Sequence, residues 1–125
     1  MKRPILIKAL DAVTATTTSD PIDIENALKV SLEFKRADHS SGSTAFTVLV
    51  SLDGKTYIAF NKLVDNVTNA IAENLTRVAS SSLASNTSKF YALDLEHDSF
   101  RWMKVVATET TDGTHSCNAH VIYNV

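Results

Sequence analysis

The stretch that decides the fold is "ALKVSLEFKRA", residues 27–37. Leu28, Val30, Leu32 and Phe34 fall on one face, and Lys29, Ser31, Glu33 and Lys35 on the other. Apolar residues recurring every second position mark a strand with one buried and one solvated face. "STAFTVLVSL", residues 43–52, repeats the pattern and places Phe46, Val48, Val50 and Leu52 inward. The polar segment "ADHSSGS" between them carries Gly42 and reads as the loop of an antiparallel hairpin.

Working outward, Asp53-Gly54 closes a second tight turn into "KTYIAFNKL". Both residues tolerate positive φ, so a turn accounts for the pair without any ligand. Further on, "KFYALDLEH" alternates through Tyr91, Leu93 and Leu95, and "SFRWMKVVATET" is a long β-rich run. Thr111-Asp112-Gly113-Thr114 supplies a turn, and "SCNAHVIYNV" alternates through Ala119, Val121, Tyr123 and Val125. A strand that keeps its alternation this far is expected to be tied into a sheet. Upstream, "PILIKAL" and "AVTATTTS" read as one or two more strands, and Pro21 makes "DPIDIENA" a loop or strand start.

Residues 65–83, "DNVTNAIAENLTRVASSSL", are ambiguous. Val67, Ile71, Leu75 and Val78 approach helical spacing and Asp65 suits a cap, whereas the Ser/Thr and β-branched content opposes a helix. This segment is a short helix, near 65–80, or an irregular excursion. The expectation is a single all-β domain over residues 1–125: an antiparallel β-sandwich or jelly roll of about seven or eight strands.

Composition narrows the function. With 44% hydrophobic and 21% charged residues the 125-residue chain has enough apolar content for a core. A formal charge of −2 offers no basic stripe for nucleic acid and no polybasic membrane signal. No run approaches the 18 or so apolar residues of a membrane span, and "MKRPILIKALDAV" lacks the pattern of a signal peptide because Lys8 and Asp11 interrupt it. The sequons at Asn66, Asn74 and Asn86 are therefore read as coincidence in a chain with 27 Ser and Thr residues.

Chemistry-bearing clusters are sparse. "HSCNAH" puts His115 and Cys117 on one strand face and His120 on the other, which does not make a four-ligand zinc site. Solvated histidines and a buried Cys117 are the expectation. In "DLEHDS", Asp94, Glu96 and Asp98 share a strand face but fall short of the six to eight oxygens calcium takes. Three widely spaced glycines make no phosphate loop, and no nucleophile stands beside a base. The chain is read as a non-enzyme without metal or cofactor. Trp102 reads first as core, with Arg101 on the opposite face; the functional alternative makes the Arg-Trp doublet part of an interface.

"SLDGKTY" followed by "YALDLEHDSFRWMKVVATETTDGTHSCNAHVIYNV" resembles small structural proteins of tailed phages, such as capsid decoration proteins. The matching pieces are Ser51 to Tyr57, Phe100 to Ala107 and Gly113 to Val125. The same hairpin resembles that of discoidin-like carbohydrate- and lipid-binding sandwiches, with Tyr57 where that family has tryptophan. The first resemblance implies a virion protein made in a host cytoplasm. It would form a homo-oligomer, such as a trimer, and bind other virion proteins such as the major capsid protein. In that setting "MKRPILIKAL" is a candidate arm or edge strand, unless it pairs within its own sheet. The second implies a glycan- or cell-surface-binding module. Asp53, Tyr57, Arg101 and Trp102 are the candidate ligand or interface residues under either reading.

Overall fold

The computed structural model describes residues 5–37, 42–65, 77–84, 87–95, 100–109 and 113–123. These hold twelve strand segments: β1 (Ile5–Val13), β2 (Thr17–Thr18), β3 (Ile22–Asp23), β4 (Ala27–Ala37), β5 (Thr44–Ser51), β6 (Ile58–Ala59), β7 (Leu63–Asp65), β8 (Arg77–Val78), β9 (Ser81–Leu83), β10 (Thr87–Leu93), β11 (Trp102–Glu109) and β12 (Thr114–Tyr123). They form two six-stranded antiparallel sheets. The first runs β1-β12-β4-β10-β7-β8; the second runs β2-β11-β5-β6, with β3 also pairing β11 and β9 pairing β5. The fold is an all-β sandwich. Its segments exceed the seven or eight expected because β2, β3, β6 and β8 are only two residues long, too short to show any alternation.

The inward faces follow the pleat. Val30, Leu32 and Phe34 of β4, Cys117, Ala119 and Val121 of β12, and Tyr91 and Leu93 of β10 oppose Phe46, Val48 and Val50 of β5 and Met103, Val105 and Ala107 of β11 in one buried core. Phe34 stacks on Phe46 across the two sheets at 4.7 Å between centroids and 12° between planes. Tyr91 tilts against Phe34 at 5.6 Å. Burying a phenylalanine of this kind contributes roughly 1.5–3 kcal/mol, and aromatic contact adds about 0.5–1.5 kcal/mol.

Several expectations are corrected. β4 and β5 do not form a hairpin: β4 pairs β12 and β10, while β5 pairs β11 in the other sheet. β4 and β5 therefore lie in different layers, and so do β11 and β12. Both strands of each pair face the core, which periodicity records, but they do so from opposite sides. Leu28 and Leu52 share the inward parity yet are exposed, because each lies at or beyond a strand end where no facing sheet covers it. Arg36, two residues after Phe34, continues the inward row and is buried. Within 65–83, residues 77–78 and 81–83 are strand, not helix; positions 66–76, where most of the helical spacing falls, lie outside the described residues.

β12 lies between β1 and β4, so the last strand is tied into the sheet on both sides. β1 accordingly pairs within its own sheet and forms its edge. Its register slips between Lys8 and Leu10 and again before Val13, with Ala12 at a φ of 52° and its N–H donating to Ser116 Oγ. Such bulges bend an edge and blunt it against further pairing. The segment Ile5 to Lys8, before the bulges, keeps regular register. Ile5 and Leu6 there are 51% and 54% exposed.

Candidate functional site

β5 and β11 run antiparallel for eight residues, from Trp102 opposite Ser51 to Glu109 opposite Thr44. The candidate site lies at the Ser51–Trp102 end. Residues 52–57 link β5 to β6, which returns alongside β5 with Ile58 opposite Val50. The expected second hairpin is present, but its connection is this six-residue loop rather than a two-residue turn.

The loop is organised from its own side chains. Asp53 Oδ1 accepts hydrogen bonds from Lys55 N (2.8 Å), Thr56 N (2.9 Å) and Ser51 Oγ (3.0 Å). Ser51 Oγ in turn accepts from Gly54 N at 2.9 Å. This is the local capping that Asp and Ser favour in turns. The Thr56 and Lys55 amides, then the Ser51 hydroxyl, stabilise the charged form and hold the Asp53 carboxyl below its ordinary range.

Gly54 is required here. It has a φ of 78°, and an added Cβ would sit 3.1 Å from Trp102 Nε1. The loop is thus folded down onto the indole. Trp102, Lys104 and Val106 form the outer face of β11, while Met103, Val105 and Ala107 point to the core. Trp102 is therefore a half-buried outer-face residue, which corrects its reading as core. The parity of "WMKVVA" alone does not say which of its two rows is covered, since both contain apolar residues.

β11 lies between β3 and β5, with Trp102 opposite both Asp23 and Ser51. Pro21, just before β3, forms one wall of an open groove; Asp53, Gly54, Lys55 and Tyr57 form the other; Trp102 lies between them. The groove volume is about 490 Å³. A smaller apolar pocket of about 220 Å³ lies behind the loop, lined by Val50, Leu52, Ile58 and Phe100 among others, and shares Asp53 with the groove.

Cations flank both aromatic rings. The Arg101 guanidinium lies 5.5 Å from the Trp102 ring centroid and Lys104 Nζ lies 4.4 Å from that of Tyr57. Arg101 Nε also approaches Glu25 Oε2 at 3.7 Å, both side chains being half-exposed. Its main chain ties the two walls together, its N–H donating to Ser51 O and its carbonyl accepting from Ile24 N.

The four residues singled out in the sequence thus meet in space: Asp53, Tyr57 and Trp102 line one groove, and Arg101 packs over the indole. Pro21, Lys55 and Lys104 were not singled out. Lys104 shares the strand parity of Trp102, but that parity did not mark the row as outward, and nothing local brings Pro21 to the groove.

The other clusters resolve differently. Cys117 is fully buried, and burial followed by the charge of Glu33 raises its thiol far above its ordinary value. His120 is exposed, but His115 is completely buried, contrary to its expected solvation. Its Nδ1 lies 2.9 Å from Thr44 Oγ1 and its Nε2 lies 3.8 Å from Glu109 Oε2. Beside it Arg36 donates from Nη1 to the carbonyls of Gly42 (2.9 Å) and Leu83 (3.3 Å). This buried polar group stands at the far end of the β5–β11 ladder. Asp94 binds Arg77 at 2.6 Å, while Glu96, Asp98 and the sequon asparagines lie outside the described residues. Among the described residues no three His, Cys, Asp or Glu side chains are grouped to hold a metal ion.

No family model and no curated protein matches the sequence. Solved structures share its fold. The SPBc2 prophage-derived protein YomS aligns over 97% of this chain and 95% of its own, with a TM-score of 0.69 and 9% identity. A protein of the disulfide-linked pili that form Bacillus endospore appendages aligns over 100% of this chain and 92% of its own, with a TM-score of 0.50 and 12% identity. At such identities the likeness is one of architecture.

Proposed function

We propose that the chain is a non-enzymatic structural subunit of a phage-type particle, a capsid decoration or accessory virion protein that self-associates and binds a shell. The observation that carries this reading is the segregation of exposed apolar side chains. Six large hydrophobics are exposed among the described residues. Four of them, Ile5, Leu28, Leu52 and Ile58, lie toward one end of the sandwich, and Leu6 follows Ile5 on the edge strand. Leu52 and Ile58 flank the Asp53 loop. Ile5 is connected through Val121 to Val30, near the start of β4, and Tyr123 at the end of β12 donates to Asp23 O beside Trp102.

Apolar surface gathered in this way, next to an edge segment with regular register, suits contact with another copy of the chain or with a shell. The fold shared with a prophage-derived protein and a pilus protein supports the same class of role. Disulfide linkage of the kind named for the pili is unsuited to this sequence, whose single cysteine, Cys117, is sealed in the core. Assembly here is non-covalent.

The test is solution mass by light scattering across a concentration series, for the native chain and for Leu6→Lys. A closed oligomer that Leu6→Lys weakens, with monomer folding preserved by circular dichroism, is expected. A native chain that stays monomeric at high concentration, or an oligomer indifferent to changes at Leu6, Leu28 and Leu52, would overturn the reading.

A further inference from the structure

We propose that Asp53–Gly54 is a latent isoaspartate-forming site, held closed in the folded chain by the hydroxyl of Ser51. The inference is independent of assembly and of any ligand, since both reacting groups lie in one stretch of main chain.

Glycine after an aspartate hinders the reaction least, because it has no Cβ. The Gly54 nitrogen attacks Asp53 Cγ, and the new N–C bond closes a five-membered succinimide. The carboxylic acid loses its hydroxyl, which leaves as water with the proton of the nitrogen. A second water then opens the ring. Opening at the Asp53 main-chain carbonyl leaves the chain running through Cβ and Cγ, one carbon longer, with the carboxylate now on Cα. Water is the only co-reactant, and the mass is unchanged overall.

The fold engages each participant elsewhere. Gly54 N–H donates to Ser51 Oγ at 2.9 Å, and Asp53 N–H reaches the same oxygen at 3.3 Å. Both amides flanking the Asp53 α-carbon are thus tied to one hydroxyl. The Asp53 carboxyl is turned toward the following residues, with Oδ1 accepting from Lys55 N at 2.8 Å, Thr56 N at 2.9 Å and Ser51 Oγ at 3.0 Å. Ring closure needs Cγ and the Gly54 nitrogen aligned at about 3–3.5 Å, which requires these bonds to be given up together. Gly54 does not swing freely either, as its φ of 78° brings it against the Trp102 indole. The same hydrogen bonds favour the carboxylate, whereas the uncharged acid is the form that the amide nitrogen attacks.

Ser51 is the centre of this protection. It is 2% exposed, and its hydroxyl accepts from Asp53 N and Gly54 N while donating to Asp53 Oδ1. Its main chain is held separately, by Arg101 N–H donating to Ser51 O, so removing the hydroxyl leaves the strand end in place. Isomerisation would carry the carboxylate away from the Lys55 and Thr56 amides and lift the loop from Trp102.

The experiment incubates the native chain, the same chain unfolded in denaturant, and folded Ser51→Ala and Ser51→Thr at one temperature and pH. Isoaspartate at residue 53 is read by peptide mapping, in which the isomer separates at unchanged mass. The native fold is expected to isomerise at least about tenfold more slowly than the unfolded chain. Ser51→Ala should react about tenfold faster than the native fold, equivalent to about 1.4 kcal/mol of barrier, and Ser51→Thr, which keeps the hydroxyl, at the native rate. Trp102 is the only tryptophan in the sequence, so its emission should shift in the isomerised fraction. Equal rates in the folded and unfolded native chain, or a Ser51→Ala variant no faster than the native fold, would overturn the proposal. The first comparison needs no variant, so it decides the matter even if Ser51→Ala fails to fold.

Discussion

The two ends of the β5–β11 ladder, about 24 Å apart over eight residues, solve opposite problems with similar parts. At one end Trp102 lies half-buried on the outer face, and Gly54 lets the Asp53 loop fold against it. At the other, Arg36, Thr44 and His115 are buried to within 1% of full burial. There Gly113, with a φ of 118°, leaves room for them: an added Cβ would lie 3.1 Å from Arg36 Nε and 3.4 Å from His115 Cε1. Each end uses a glycine at positive φ to bring a loop against a large side chain. The difference is water. Asp53 and Lys55 at the loop end are exposed to solvent, whereas Arg36, Thr44 and His115 depend on partners within the protein, because an unmet buried polar group costs about 1–3 kcal/mol.

That contrast is open to direct challenge at both ends. The largest effect is expected for Arg36→Ala, which strips the donor from the carbonyls of Gly42 and Leu83 and leaves a cavity. Denaturant unfolding should show a loss of about 3–5 kcal/mol; a loss below about 1 kcal/mol would mean that this end is wetter than its burial indicates. Thr44→Val comes next. It keeps the shape but removes the hydroxyl beside His115 Nδ1, and about 2 kcal/mol should be lost in the same assay.

At the loop end the effects shrink. Gly54→Ala places a side chain at positive φ and against the indole, at a cost of about 1–2 kcal/mol, and should shift Trp102 emission as the loop lifts. The smallest change is expected for Asp53→Asn, and it depends on pH. Folding lowers the Asp53 pKa, so the carboxylate's contribution is complete above its ordinary value of 3.8 and is lost as pH falls through the lowered folded value. The native chain should exceed the variant in unfolding midpoint at neutral pH, with the gap closing progressively below pH 3.8. A gap that stays constant down the acid limb would show that the carboxylate's charge is immaterial to the loop.

Legibility in the sequence differed in the same way between the two regions. The loop end was partly readable because "SLDG" carries its own turn chemistry, and because Arg101 and Trp102 are residue types favoured at contacts. The buried polar end was legible only in parity: Arg36 extends the row Val30, Leu32, Phe34, and His115 shares the row of Cys117 and Ala119. Residue type argued for exposure there, and burial won because Thr44 of β5, the Leu83 carbonyl of β9 and the Gly42 carbonyl converge on these side chains. Leu52 shows the reverse failure. Its parity pointed inward, but the strand ends at Ser51 and the leucine is 69% exposed.

By itself the sequence determined that the longer segments are strands and, for β4, β5, β10 and β12, which face is apolar, since both follow from the pleat, a property of neighbouring residues along one chain. Only the tertiary structure decided which strands pair. It put β4 and β5 in opposite sheets, seated β12 between β1 and β4, and brought Pro21 beside Asp53 and Trp102. Every strand carries the same N–H and C=O groups, so alternation cannot name the partner. The partner is chosen by how two apolar faces close over one core, with Phe34 meeting Phe46 from the opposite layer.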